Sequence, residues 1–395
     1  MTDPRPPDPW LTIIGIGEDG LTGLPDASRA ALAAAAVIFG GPRHLALAGA
    51  GDRGRAWPVP FDIAPVLAVR DRKVVVLASG DPFWFGAGSQ LAEALTPGEW
   101  RAIPVAGSFS LAAARLGWRI EETACLGLHA APFERLVPHL HPGQRLLCTL
   151  RDGPAVAGLA GWLVARGRGE SRLTVLEALG GPQERIRSFA AADPVPQDIA
   201  APVLAAIEPA GAPGLPRSPG LPETAFAHDG QITKSPVRAL TLAALAPRPG
   251  EVLWDLGAGS GSVSVKWALA GGRAVAVECR AERLANIRTN ADRFGLSHRL
   301  EVRQGRSADV VADLPRPDAI FVGGGFDAAL FARLPRSARL VVNAVTLETE
   351  ALVIALHALH GGDLLRIDLA RAAPLGGLHG WQPSRPVVQW SLPCA

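Results

Sequence analysis

The stretch 254-WDLGAGSGSVSV-265 could do chemistry. An acid, Asp255, ends a short apolar run. A glycine turn follows, Gly257-Ala258-Gly259-Ser260-Gly261, and then a segment with helical spacing. Such a turn lets backbone lie against a ligand where a side chain would intrude. A second acid, Glu278, closes the next apolar run, 273-RAVAVE-278, twenty-one residues beyond Gly257. A carboxylate there can accept both hydroxyls of a ribose. The ligand is therefore a dinucleotide or a nucleoside-bearing methyl donor, unless the loop is only a tight turn. Dinucleotide sites want G-x-G-x-x-G, whereas the order here is G-x-G-x-G.

Other candidates sit where strands should end. Upstream are Gly15 and Gly17 in 15-GIGEDGLTGL-24, Gly80-Asp81-Pro82 in 79-SGDPFWFG-86, and Ser108 and Ser110 in 107-GSFSLAAARLGW-118. Downstream are Thr233 and Lys234 in 229-DGQITKSPVRAL-240, Ser307 in 305-GRSA-308, and Gly323 and Gly324 in 320-IFVGGG-325. The Thr-Lys pair can cap the helix that follows it and place a cation at a site's mouth. The bare glycines Gly323 and Gly324 leave room for a bulky substrate. They also replace the aromatic clamp that enzymes methylating base amines carry at that position. His228 and His379 are further proton donors or orienters.

Alternation of strand and helix must position these residues. In the C-terminal part, strands are expected over 251–256, 273–278, 300–303, 319–322 and 339–342, and helices over 237–245, 262–269, 280–293 and 349–359. That is a parallel, doubly wound sheet, which binds ligands at the carboxyl ends of its strands. The N-terminal part predicts strands over 11–16, 73–78, 101–105, 145–149, 172–177 and 203–207. Its helices fall over 27–37, 88–95, 110–116 and 155–165. A break near Ala106 suggests two α/β lobes with a cleft between them. The stretch 209-PAGAPGLPRSPGLP-222 has eight Pro or Gly among fourteen residues and reads as a linker between domains 1–208 and 223–395.

Composition narrows the class. Lys+Arg 39 against Asp+Glu 37 leaves a net charge of +2, which gives no field for nucleic acid or an anionic membrane. The four cysteines are scattered without C-x-x-C spacing, so no metal site is expected and a reducing cytoplasm is the default. The start, MTDPRPPDPW, lacks the order of a signal peptide. The apolar run Ala30–Phe39 spans about half a membrane and is expected to be a buried helix.

The C-terminal turn resembles that of class I S-adenosylmethionine (SAM) methyltransferases. The resemblance implies that Asp255 helps receive the donor's ammonium end, that Glu278 holds its ribose, and that Thr233, Ser307, Gly323 and Gly324 border it. The upstream set, over roughly 11–208, resembles the tetrapyrrole (corrin and porphyrin) methyltransferases, an unrelated SAM fold. There Gly80, Asp81, Pro82, Ser108 and Ser110 would border the donor, and Gly15 and Gly17 the macrocycle. The overall expectation is an α/β chain: a two-lobed tetrapyrrole-methylase fold, then a Rossmann-like class I fold.

Both halves in this order, with 342-VNAVTLET-349 downstream, resemble the decarboxylating precorrin methyltransferases of cobalamin biosynthesis. That implies two SAM sites, one per domain, and a tetrapyrrole substrate. It implies methylation of carbons 5 and 15 and loss of the ring C acetate as CO₂, with Lys234, His228 or His379 as proton donor or orienter. The substrate's carboxylates predict an arginine-lined mouth, with Arg238, Arg371 and Arg385 as candidates. A homo-oligomer is expected, with no nucleic-acid or membrane partner. The alternatives are methylation of another substrate such as RNA, or one half being a non-catalytic SAM-binding module.

Overall fold

The computed structural model describes residues 9–216, 218 and 220–394. The Pro-rich start, and Arg217 and Pro219 of the Pro/Gly-rich stretch, lie outside the described residues. The chain forms two units. One comprises the residues up to Ala131 with His141–Pro213; the other is Pro132–Leu140 with Gly214–Ala395.

The first unit holds two sheets. In the first, β1 (Leu11–Ile16), β2 (Val37–Gly40), β3 (Gly54–Ala56), β4 (Val74–Ser79) and β5 (Trp100–Ile103) lie parallel in the order β3-β2-β4-β1-β5. The central strands are apolar end to end, as parallel strands covered on both faces must be: β1 is LTIIGI and wholly buried. The second sheet has β6 (Thr123–Gly127), β7 (Arg145–Leu150), β8 (Arg172–Glu177), β9 (Arg185–Ala190) and β10 (Val203–Glu208) in the order β6-β7-β10-β8-β9. Only β6 and β7 pair in parallel.

The run Ala30–Phe39 is not one buried helix. The helix Asp26–Ala34 ends within it, and Val37-Ile38-Phe39 enters β2 between β3 and β4. β-Branched and aromatic side chains suit a pleated surface better than a helix, and burial between two strands decides the matter.

The second unit carries one seven-stranded sheet. Its strands are β11 (Val252–Leu256), β12 (Arg273–Glu278), β13 (Leu300–Gln304), β14 (Ala319–Val322), β15 (Arg339–Ala344), β16 (Asp363–Ile367) and β19 (Val387–Leu392). The order is β13-β12-β11-β14-β15-β19-β16. β19 runs antiparallel to both neighbours, while β11 to β15 are parallel. A separate hairpin pairs β17 (Ala370–Leu375) with β18 (Leu378–Pro383). The order reverses between β12 and β14, on either side of β11. That switch point opens a crevice at the strands' carboxyl ends.

The Pro/Gly-rich stretch is held within each unit rather than loose. Arg168 donates to the carbonyls of Ala210 and Ala212 at 2.8 and 3.0 Å. Further on, the buried Lys266 donates to the carbonyls of Pro216 and Ser218 at 3.3 and 2.9 Å. These contacts occupy backbone carbonyls that helix or sheet would otherwise pair.

Candidate functional site

Each unit has its own cavity. That of the second unit measures about 1110 Å³ and lies at the carboxyl ends of β11, β12, β14 and β15. Gly257, Ala258, Gly259, Glu278, Ser307, Gly323, Gly324, Thr233, Lys234, Arg371 and Arg385 all line it.

The turn after β11 is built from backbone that only glycine adopts without strain: φ is +68°, +57° and +69° at Gly257, Gly259 and Gly261. The three do different work. A Cβ on Gly257 would sit 2.5 Å from the Gly324 carbonyl, so this glycine lets two turns touch. A Cβ on Gly261 would press on Ile287 at 3.0 Å; this glycine seats the turn on the core and does not line the cavity. Gly259 lines the cavity and has no neighbour closer than the Gln231 carbonyl at 3.4 Å, while Gly324 faces open space. Together these form a cradle with room for a nucleoside-bearing group.

Glu278 is buried and accepts from three main-chain N–H groups. Its Oε2 accepts from Gly259 N at 2.9 Å, and its Oε1 accepts from the N–H groups of Cys279 and Arg280 at 2.9 and 3.0 Å. It therefore fastens the glycine turn to the end of β12 and still presents lone pairs to the cavity.

Asp255 lies underneath the turn and does not line the cavity. Its Oδ2 accepts from the N–H and hydroxyl of Ser264, at 3.1 and 2.6 Å. Its Oδ1 is buried with no partner, as is the Ser260 hydroxyl oxygen. Burial pushes the Asp255 carboxyl up to about 6 against the opposing pull of Ser264, with Glu278 adding a smaller push. Direct contact between Asp255 and a donor's ammonium is thus not what this geometry offers; the acid instead braces the helix Ser262–Leu269.

Three other expectations are corrected. Arg238 is not at a mouth: it is buried and stacked over Phe226, and it donates to the carbonyls of Leu221 and Thr233. It satisfies main-chain oxygens that water cannot reach. Neither His228 nor His379 lines the cavity. His228 accepts from Gly230 N at 3.0 Å, and His379 stands exposed on β18 opposite Pro374. The helix after Lys234 is not capped by a Thr233 or Lys234 side chain; Glu223 accepts from Ser235 N at 2.7 Å instead.

The cavity also holds residues that sequence reasoning passed over. Arg283 donates to Asp229 at 2.8 Å and so ties the 229–231 loop beside the glycine turn. Asn343, a buried amide ending the apolar strand 339-RLVVNA-344, lines the cavity too. A lone amide closing a parallel strand was the available signal.

The first unit's cavity measures about 450 Å³ and lies between its two sheets. Gly17, Gly80, Asp81, Ser108 and Ser110 line it, but Gly15 and Pro82 do not. A Cβ on Gly15 would fall 1.7 Å from the Gly80 carbonyl, so Gly15 serves the close approach of β1 to the turn after β4. Asp81 shapes that turn by accepting from Phe83 N at 2.9 Å. The helix Ser108–Leu116 opens beside it, and a Cβ on Gly107 would meet only Asp81 atoms, none nearer than 3.5 Å. A polar cluster missed in the sequence sits at the edge. Ser79 contacts His44 at 2.8 Å and Arg43 at 3.0 Å, and Arg43 pairs with Glu18. Burial, then the Arg43 cation, lower His44 to about 4, so the imidazole is neutral at pH 7.

Two glycine-turned cavities at strand ends, one in each α/β unit, define a two-domain chain of the methyltransferase class. Its sequence relatives make that specific. Residues 11–193 match the model for tetrapyrrole (corrin/porphyrin) methylases and residues 224–393 that for the precorrin methyltransferase domain. The chain is 47% identical over 407 aligned residues to a precorrin-6Y C(5,15)-methyltransferase [decarboxylating] of Sinorhizobium sp, covering 99% of this chain and 98% of that one. It is 40% identical to the protein of that name in Mycobacterium tuberculosis strain CDC 1551, covering 97% and 99%. Among solved structures, the C-terminal domain of precorrin-6Y C5,15-methyltransferase from Rhodobacter capsulatus is 60% identical, covers 45% of this chain and 98% of that one, and has a TM-score of 0.44. The chain belongs to the family of decarboxylating precorrin-6Y C(5,15)-methyltransferases.

Proposed function

We propose that this chain methylates precorrin-6Y at carbons 5 and 15 and removes the ring C acetate as CO₂, giving precorrin-8. The first unit acts on carbon 5; the second acts on carbon 15 and carries the decarboxylation. Each unit holds one SAM, making the protein bifunctional. The observation that carries this reading is a separate glycine-turned cavity in each unit of a chain alignable end to end with named enzymes.

The donor supplies a methyl group on a cationic sulfur, which needs no strong base to activate it. In the second unit, Glu278 takes the ribose, the Gly257–Gly261 turn lies against the donor's main body, and Ser307 borders the adenine. Asp81, Gly80, Ser108 and Ser110 do the corresponding work in the first unit. The chain's main task is alignment and exclusion of water, and alignment can be worth about 7–11 kcal/mol. Arg371, Arg385 and Lys234 are exposed in the larger cavity and receive the substrate's carboxylates. Lys234 is the residue placed to deliver a proton, since neither His228 nor His379 reaches the cavity. No helix among the described residues is long and apolar enough to cross a membrane; we assign the enzyme to the cytoplasm. We read the assembly as a homo-oligomer.

Mass spectrometry of precorrin-6Y incubated with SAM and the full chain tests this. The expected product has gained two methyl groups and lost one CO₂. Unchanged substrate would refute the reading, and methylated RNA in place of precorrin would favour the rival one.

A further inference from the structure

The face of the C-terminal sheet covered by the helix Ser235–Leu245 ends in a patch unlike the rest of its cavity. Val237, Ile367 and Val387 pack together there with Leu369, and all four line the cavity. The register explains why. Asn343 pairs with Gln389 across β15 and β19, and Val387 lies two residues from Gln389, hence on the same face. Ile367 pairs with Val387 on the next strand. Asn343 therefore stands at the border of an apolar wall.

Its carboxamide is fixed. The Thr241 hydroxyl donates its only proton to the Val237 carbonyl at 2.9 Å. Thr241 can then only accept, and it does so from Asn343 Nδ2 at 2.9 Å and Gln389 Nε2 at 3.1 Å. Gln389 Nε2 also donates to Asn343 Oδ1 at 2.9 Å. This count sets the orientation of both amides. It leaves Asn343 Nδ2 with one proton that no group among the described residues takes. All three side chains are buried, and of the three Asn343 alone lines the cavity.

We infer that this apolar wall, with the Asn343 amide at its border as donor, is where the departing acetate sits during CO₂ loss. The inference rests on the function proposed above. A carboxylate leaves most readily when it is poorly solvated and held with its breaking bond aligned to the conjugated ring. The wall withholds water. A neutral N–H orients the carboxylate without neutralising it, whereas a facing Arg or Lys would stabilise the very charge that must disappear. The exposed Lys234, Arg371 and Arg385 hold the carboxylates that remain. In the step, the bond between the acetate methylene and its carboxyl carbon breaks. The carboxyl leaves as CO₂, the bonding pair passes into the macrocycle, and one proton is taken up at the methylene to leave a methyl group. No oxidant or reductant is required.

The test compares the full chain with Asn343→Ala and Val387→Thr. The second variant nearly conserves volume but brings a hydroxyl to the wall. CO₂ release from precorrin-6Y, the number of methyl groups gained, SAM affinity and melting temperature are measured on each. Loss of the donor that aligns the breaking bond predicts CO₂ release slowed about tenfold or more by Asn343→Ala. The fall should lie in kcat rather than KM, with SAM affinity held within about twofold. Val387→Thr should slow CO₂ release in the same sense. Unchanged CO₂ release in either folded variant overturns the inference, as does a fall that merely tracks lost SAM affinity. If Asn343→Ala does not fold, Val387→Thr decides alone. A wild-type chain that adds no methyl group to precorrin-6Y refutes the proposed function instead, so the two failures are told apart.

Discussion

Glu278 Oε2 accepts a hydrogen bond from Gly259 N at 2.9 Å, joining the end of β12 to the turn that follows β11. The carboxylate proposed to hold the donor's ribose also holds the turn proposed as the donor's cradle. Glu278→Gln should therefore weaken SAM binding through both routes, because an amide nitrogen would face N–H groups it cannot accept from. A loss of about 2 kcal/mol, ~30-fold in affinity, is expected at the second unit's site. Calorimetry should show one weakened site and one unaltered; two unaltered sites would remove Glu278 from the donor pocket.

The glycines of that turn should separate by phenotype. Gly257→Ala puts a Cβ 2.5 Å from the Gly324 carbonyl at φ +68°, so it should destabilise the second unit by about 1–3 kcal/mol. Gly259→Val also carries the strain of a positive φ, +57°, but meets no backbone clash and fills the ligand's approach. Its signature should be a loss of SAM binding beyond what its drop in melting temperature accounts for. Equal melting losses with normal affinity in Gly259→Val would place the ligand elsewhere.

Asp255 predicts a pH dependence. Its folded pKa, about 6, lies above the ordinary 3.8. More protons are bound folded than unfolded between those values, so the second unit's stability should fall as pH rises from about 4 to about 6 and then level off. The span corresponds to about 3 kcal/mol. Asp255→Asn should flatten this slope in denaturant titrations across that window. A slope that persists in Asp255→Asn would assign it to another group.

The arginines were the hardest residues to read from sequence. Arg238, Arg371 and Arg385 look alike along the chain, yet burial divides them. Arg238→Met should leave the carbonyls of Leu221 and Thr233 unpaired and cost about 3 kcal/mol of stability. Arg371→Ala and Arg385→Ala should leave melting unchanged and raise the KM for precorrin in a salt-dependent way. The reverse pattern in thermal melts and kinetics would contradict the assignment.

The same contrast explains what else could be read in advance. Strands β1, β12 and β14 lie at their expected bounds because parallel, doubly buried strands are continuous apolar runs between turn residues. The glycine turn was legible because positive φ admits few residue types. Strands β16 to β19 were not foreseen. β17 and β18 are mostly exposed, with Arg371, Gly380 and Gln382 among apolar residues, and β19 owes its place to antiparallel pairing with β15, far away in sequence. Asp255 and Gly15 were placed at the ligand because sequence gives proximity along the chain, not which way a side chain faces. Asn343 gained its role only through Thr241 and Gln389, partners from 46 to 148 positions apart in sequence.

The central claim is that each unit carries its own donor site and adds its own methyl group. The direct measurement is the methyl count on precorrin-6Y, by mass spectrometry, for the full chain, for Gly259→Val and for Asp81→Ala. The account predicts two methyl groups for the unaltered chain. Gly259→Val should add one, at carbon 5, and Asp81→Ala should slow the carbon 5 methylation while carbon 15 is still modified. Two methyl groups added at normal rate by Gly259→Val, or both lost from that single change, would contradict it.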